Sequence, residues 1–202
     1  MPSPHFAFSE LLIVFIAVWV VKRLFADGNL MAGVGVMLFG LAAAVGVLRF
    51  GFNMIDELAN FHFHFSQIGG TTAMSLITLQ IAINLTLIPD QTAKFIAGLS
   101  ITATFFISFF NPSLATPLFL SWLSISVILV LLLPINMLPV RFLRAALMAT
   151  FMANIVFIRR SPLLGVELSW HLFHAFTAIW LICVWWIISK SYSHLSRSQM
   201  VD

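Results

Sequence analysis

The chain has 202 residues, of which 61% are hydrophobic, 14% aromatic and 8% charged. Soluble domains are about 45–50% apolar and about 25% charged, so ten basic and seven acidic residues cannot clothe a soluble surface. The apolar content also excludes a disordered chain. The composition specifies an all-α, polytopic transmembrane bundle forming one integral membrane domain, residues 1–202. A membrane helix uses about 20 apolar residues, so about seven spans is close to the most the chain holds.

The net charge of +3 does not point to nucleic acid. The basic residues sit singly or in pairs at span ends, where they act as topology signals. The one cysteine, Cys183, lies in an apolar run, which excludes an intrachain disulfide and a thiolate cluster.

Seven apolar segments follow in chain order, roughly 6–26, 30–51, 63–88, 92–111, 115–133, 136–158 and 165–189. The first lacks a basic leader, and Lys22-Arg23 follows a long apolar run, so it reads as a retained helix rather than a signal peptide. Asp27-Gly28-Asn29 separates the first pair. Pro89-Asp90 ends the third segment, and Asp90 is placed to cap the fourth. Asn111-Pro112-Ser113 divides the fourth from the fifth. Pro134 and Pro139 divide the fifth from the sixth; one kinked span there would give six helices. Arg159-Arg160-Ser161-Pro162 ends the sixth.

With the amino terminus outside, seven basic residues fall inside (Lys22, Arg23, Lys94, Arg141, Arg144, Lys190, Arg197). Three fall outside (Arg49, Arg159, Arg160). The positive-inside rule then gives N-out, C-in, and a bacterial cytoplasmic membrane is the expected location.

This topology gathers the polar chemistry on one side. His5, His62, His64, His171 and His174 share the outer end with Glu10, Asp56, Glu57, Glu167, Arg49 and Asn154. In the last span Glu167, His171 and His174 follow spacings of four and three, which return to one helical stripe. A carboxylate and two imidazoles there suit a divalent metal or a proton relay. In a helix His62 and His64 diverge by about 200 degrees, so only one can face a site. The alternation with phenylalanine equally describes an aromatic belt, a reading favoured for His62 over His64. Glu10 either caps its helix with Ser9 or faces the bundle. Arg49 either meets lipid headgroups or pairs with Glu10 or the 56–57 acids. Gln80 and Asn84, four apart, are placed for interhelical hydrogen bonds, and Asn154 for the same role or the outer site. Glycines 33, 35, 40, 46, 69 and 70, with Thr71 and Thr72, suit close helix approach; room for a substrate is the other use.

Seven spans, Ser169-Trp170-His171-Leu172-Phe173-His174 and Asp56-Glu57-Leu58 together resemble the CREST superfamily of seven-helix membrane hydrolases. That group includes alkaline ceramidases, progestin-and-adipoQ receptors and lysoplasmalogenase-like proteins. The resemblance implies zinc, with His174 matching the second last-span histidine, His171 lying one place after the first, and Asp56 matching the family aspartate. The second span has no histidine, so His64, or Glu167, would complete the set.

Three functional expectations result. One is a zinc-dependent lipid hydrolase, with metal ligands from His171, His174, His64 and Glu167, a base at Asp56 or Glu10, and support from Arg49, His62 and Asn154. The second is a non-enzymatic sensor, accessory subunit or small transporter that uses the outer cluster to bind protons or a ligand. The third is a haem anchor using His64 with His171 or His174. Membrane lipids are the expected partners.

Overall fold

The computed structural model describes residues 4–133, 135, 137–159 and 161–198, with side chains to residue 189 in the last helix. The expected break at Pro134, and Arg160 among the basic residues, lie outside the described residues, as do the side chains of Lys190, His194 and Arg197.

The described residues form seven α-helices: α1 (Phe6–Ala26), α2 (Leu30–Gly51), α3 (Ala59–Asn84), α4 (Asp90–Phe110), α5 (Ala115–Leu131), α6 (Leu138–Ala153) and α7 (Val166–Ser198). A 3-10 turn, Pro112–Leu114, leads into α5, and a π-helical segment, Asn154–Arg159, continues α6. Residues 115–158 therefore form two helices, not one kinked span. Five of the seven, α2, α4, α5 with its leading turn, α6 with its π extension, and α7, are long and apolar enough to cross a membrane.

Six helices close a ring. α1 packs on α2 and α7, α2 on α3, α3 on α5, α5 on α6, and α6 on α7. α4 stands outside, mainly against α3.

Buried residues of α1 recur at Phe6, Ser9, Glu10, Ile13, Ala17, Val20 and Leu24, steps of three and four that define one helical face. In lipid the helices gain nothing by hiding apolar groups from one another, so close packing and hydrogen bonds hold them together. The glycines of α2 serve that packing. A side chain at Gly40 would collide with Ala17 of α1, and one at Gly35 with the backbone of Ala73 in α3.

Polar ties reinforce the ring. Gln80 donates to Asn84 Oδ1 at 2.8 Å, and Asn84 donates to Asn29 Oδ1 at 3.0 Å. Gln80 Oε1 accepts the Met31 backbone N–H at 3.0 Å, so the pair locks α3 to the start of α2. The Thr78 and Ser126 hydroxyls meet at 2.6 Å between α3 and α5. Asn154 donates to the Phe173 carbonyl at 2.9 Å and to Thr177 Oγ1 at 3.3 Å, which joins the end of α6 to α7.

Asp90 is the first residue of α4, where Pro89 is the cap, and it makes no capping hydrogen bond. Its carboxylate pairs with Lys94 one turn on, at 2.5 Å.

Candidate functional site

At the end of the bundle that holds the start of α1, the ring opens into a chamber of about 750 Å³. That is in the usual range for small-molecule sites, roughly 300–1,000 Å³. Glu10, Arg49, His62, Gln67, Arg159 and His174 contribute its polar lining. Phe39, Phe119, Phe151 and Phe173 contribute aromatic wall. Trp180 lies behind Phe151, stacked at 4.4 Å, and its indole N–H donates to the Met148 carbonyl.

Glu10 is 3% exposed. The α1 spacing places it on the inner face, and Gly46 of α2 makes the room, since a side chain there would overlap the carboxylate. Glu10 therefore faces the bundle rather than capping its helix. Its partners are histidines, not Arg49. His174 Nε2 stands 3.2 Å from Glu10 Oε1, and His62 Nε2 stands 4.0 Å from the same oxygen.

His174 Nδ1 lies 2.7 Å from the Trp170 carbonyl, which only accepts, so Nδ1 carries a hydrogen. A neutral ring would then turn a bare Nε2 lone pair toward the carboxylate. The 3.2 Å contact is a salt bridge when the imidazole is protonated, and the Glu10–His174 pair then has no net charge.

His171 points elsewhere. Its Nδ1 is 3.1 Å from Ser9 Oγ, whose single hydrogen goes to the Phe6 carbonyl, so Nδ1 donates here. Its ring lies 5.1 Å from that of His5. Glu167 is exposed and stands 3.9 Å from His5. The expected stripe thus splits, because a step of three residues turns the helix by about 60 degrees from register. His171 meets α1, while His174 meets the chamber.

The α3 histidines also separate, in the opposite sense to the favoured assignment. His62 is buried at the chamber, seven residues before buried Gly69 and on its face of the helix. His64 faces α4, its ring stacked on Phe109 at 4.9 Å, so it is not brought to His171 or His174. The helix starts at Ala59, four residues before the expected start, and so carries His62 on its first turn.

Asp56 and Glu57 are exposed in the turn between α2 and α3, away from the chamber lining. Arg49 Nε donates to the Ile55 carbonyl at 2.9 Å, and the guanidinium lies over Phe50 at 5.0 Å. Asn154 ties helices beside the chamber without lining it. Sequence reasoning missed the role of Gly46 and the linings from Gln67, Phe119 and Phe151; these come from separate helices and share no local signal.

The zinc ligands expected from the sequence do not converge. Of His171, His174, His64 and Glu167, only His174 reaches the chamber. Among the described residues no group of three or more His, Cys, Asp or Glu is arranged to hold a metal ion. A catalytic zinc needs three protein donors around an open position, and the expected set does not fit one.

Comparison with protein-family models, curated proteins and solved structures finds no match to this chain.

Proposed function

We propose that this protein is a seven-span membrane protein, N-out and C-in, that draws an amphiphilic ligand from the lipid into its outer chamber. It works there as a sensor or small transporter. The observation that carries this reading is the Glu10–His174 pair, a buried carboxylate and imidazole 3.2 Å apart, at the polar side of a chamber walled by phenylalanines. Pockets of this kind hold an apolar body by surface and orient it with a few polar groups. With both ring nitrogens of His174 committed, the Glu10 carboxylate offers an acceptor to a bound head, and the pair can exchange a proton with it.

A seven-span count accords with seven helices, five of them long and apolar. The two that fall short, α1 and α3, contribute Glu10 and His62 to the chamber. Ionisable and polar groups within a membrane face the bundle interior and mark functional paths. A zinc-dependent hydrolase of the CREST type would need a donor set other than the one expected from the sequence, and no chemical step is assigned to a metal.

Trp170 lines the chamber and reports its occupancy. A brominated single-chain amphiphile, titrated into protein in nanodiscs, should quench a saturable fraction of tryptophan fluorescence. That fraction should vanish in Trp170→Phe. Quenching that is equal in both proteins would come from lipid-facing tryptophans, and the chamber reading would fall.

A further inference from the structure

α4 stands outside the ring and meets it through one narrow face. The buried residues of that face are Ala93, Ala97, Ser100, Thr104 and Ser108, steps of three and four along one side of the helix. Its first half is apolar, with Ala93 and Ala97 packed on Leu76 and Leu79 of α3. Its second half is three hydroxyls.

Helical serines and threonines commonly donate to the carbonyl one turn back. Thr102, Ser121, Ser124 and Thr177 do so here, to Gly98, Pro117, Leu120 and Phe173. The hydroxyls of Ser100, Thr104 and Ser108 do not, and no described residue bonds them. These three side chains are 8%, 0% and 0% exposed. α3 brings more polar atoms to the same seam. His64 stacks on Phe109, next to Ser108, and Leu76 packs at the Ala97 end. That antiparallel register sets Thr72 opposite the stretch from Ser100 to Thr104. Thr72 Oγ1 and His64 Nδ1 also have no partner among the described residues. Ser100 shares a groove of about 230 Å³ with Trp122 of α5, whose indole N–H has no acceptor there. Hydrocarbon cannot relieve the desolvation penalty of such groups.

The spacing identifies the ligand. Residues four apart on a helix lie about 6 Å apart along its axis. That is too far for one hydroxyl to reach the next, and it is about twice the O–H···O length of roughly 2.8 Å. One water between neighbours bonds both. Water donates and accepts, so it also suits the imidazole nitrogen and the indole N–H. Gly69, on the Thr72 side of α3, leaves room. A Cβ there would meet the Leu38 carbonyl at 3.6 Å and no atom of α4 within 4 Å.

We propose that the seam between α3 and α4 is a water site. A file of waters enters beside His64, bridges Ser108, Thr104 and Ser100 in turn, and ends at Trp122, where the apolar packing of Leu76, Leu79, Ala93 and Ala97 closes it. The site is separate from the chamber and does not rest on the amphiphile reading.

The test is X-ray hydroxyl-radical footprinting of the protein in nanodiscs, in which bound water becomes radicals that oxidise the side chains beside it. Trp122 should be oxidised several-fold faster than Trp180, which is 1% exposed in the apolar core. The double variant Thr104→Val, Ser108→Ala should bring Trp122 down to the Trp180 rate. Equal oxidation of the two tryptophans in the wild type would overturn the water site. Fast oxidation of Trp122 that survives in the double variant would overturn the file, because water would then reach the indole by another route. Thermal unfolding gives an independent check. Thr104→Val keeps the shape of the side chain and removes its hydroxyl. With water bridging that hydroxyl, the melting temperature should fall by about 2–4 °C. An unpartnered hydroxyl would make the variant more stable, since an apolar isostere escapes the desolvation penalty. A hydroxyl turned back to the Ser100 carbonyl would leave stability unchanged. Either of these results would overturn the proposal.

Discussion

Glu10 Oε1 and His174 Nε2 stand 3.2 Å apart, while the other nitrogen of the same imidazole is committed to the Trp170 carbonyl at 2.7 Å. The carbonyl accepts from Nδ1, which turns Nε2 toward the carboxylate. A residue from the start of α1 and one from the first turns of α7 are thereby joined. Loss of either partner leaves the other buried polar group without its salt-bridge partner, which costs about 1–3 kcal/mol. Glu10→Ala and His174→Ala should each lower unfolding stability in detergent by that amount. The double variant should be little worse than either single one, because the two changes remove the same interaction. Additive losses would show that the groups act separately. Glu10→Gln keeps a donor for Nε2 and should be the mildest change.

Gly46 is the second element of the same site. A methyl group there overlaps the Glu10 carboxylate, and overpacking of this kind costs about 1–3 kcal/mol. Gly46→Ala should lower the melting temperature and weaken amphiphile binding together, by displacing Glu10 from His174. Gly98 lies inside α4 and meets nothing within 4 Å of an added Cβ, so Gly98→Ala is the control and should leave binding unchanged without lowering the melting temperature. Normal binding in Gly46→Ala would mean that the position of the carboxylate does not matter to the ligand.

The two histidines of α3 should behave differently. His62 lines the chamber and His64 stacks on Phe109. His62→Ala should weaken probe binding several-fold, and His64→Ala should leave it unchanged. The reverse pattern in the quenching titration would place the wrong face of α3 at the site.

Metal content separates the ligand-binding reading from the zinc hydrolase. Protein purified without chelator should contain far less than one zinc per chain by mass spectrometry, and His171→Ala should make no difference. One zinc per chain, lost in both His62→Ala and His174→Ala, would restore the hydrolase and relocate its metal to the Glu10 cluster.

Topology is open to direct measurement with reporter fusions. Reporters at Gly28 and after residue 198 should both respond as cytoplasmic, and one at Asn53 as external. Agreement of the Gly28 and Asn53 reporters would mean that α2 does not cross.

Composition alone pointed to a helical membrane protein, because 61% hydrophobic residues with 8% charged leave too few charges for a soluble surface, and five helices long and apolar enough to cross a membrane fit that reading. Turn residues placed α1 and α2 at the bounds expected, since Asp27, Gly28 and Asn29 supply a break, with Gly28 at φ +77°. Gln80 and Asn84 were legible as helix-joining residues from their spacing. The first turn of α3 was not. Asp56, Glu57 and Asn60 have the composition of an interface, and a helix beginning at Ala59 there is a matter of packing. Helical phase then decided the site. One hundred degrees of rotation per residue puts His62 and His64 on nearly opposite faces and turns His171 about 60 degrees from His174, enough for each pair to meet different neighbours. Which member faces inward depends on the neighbouring helices, and only the closed ring of α1, α2, α3, α5, α6 and α7 sets that. The same ring brings Glu10 to His174 across 164 residues of chain, a distance over which no local pattern carries information.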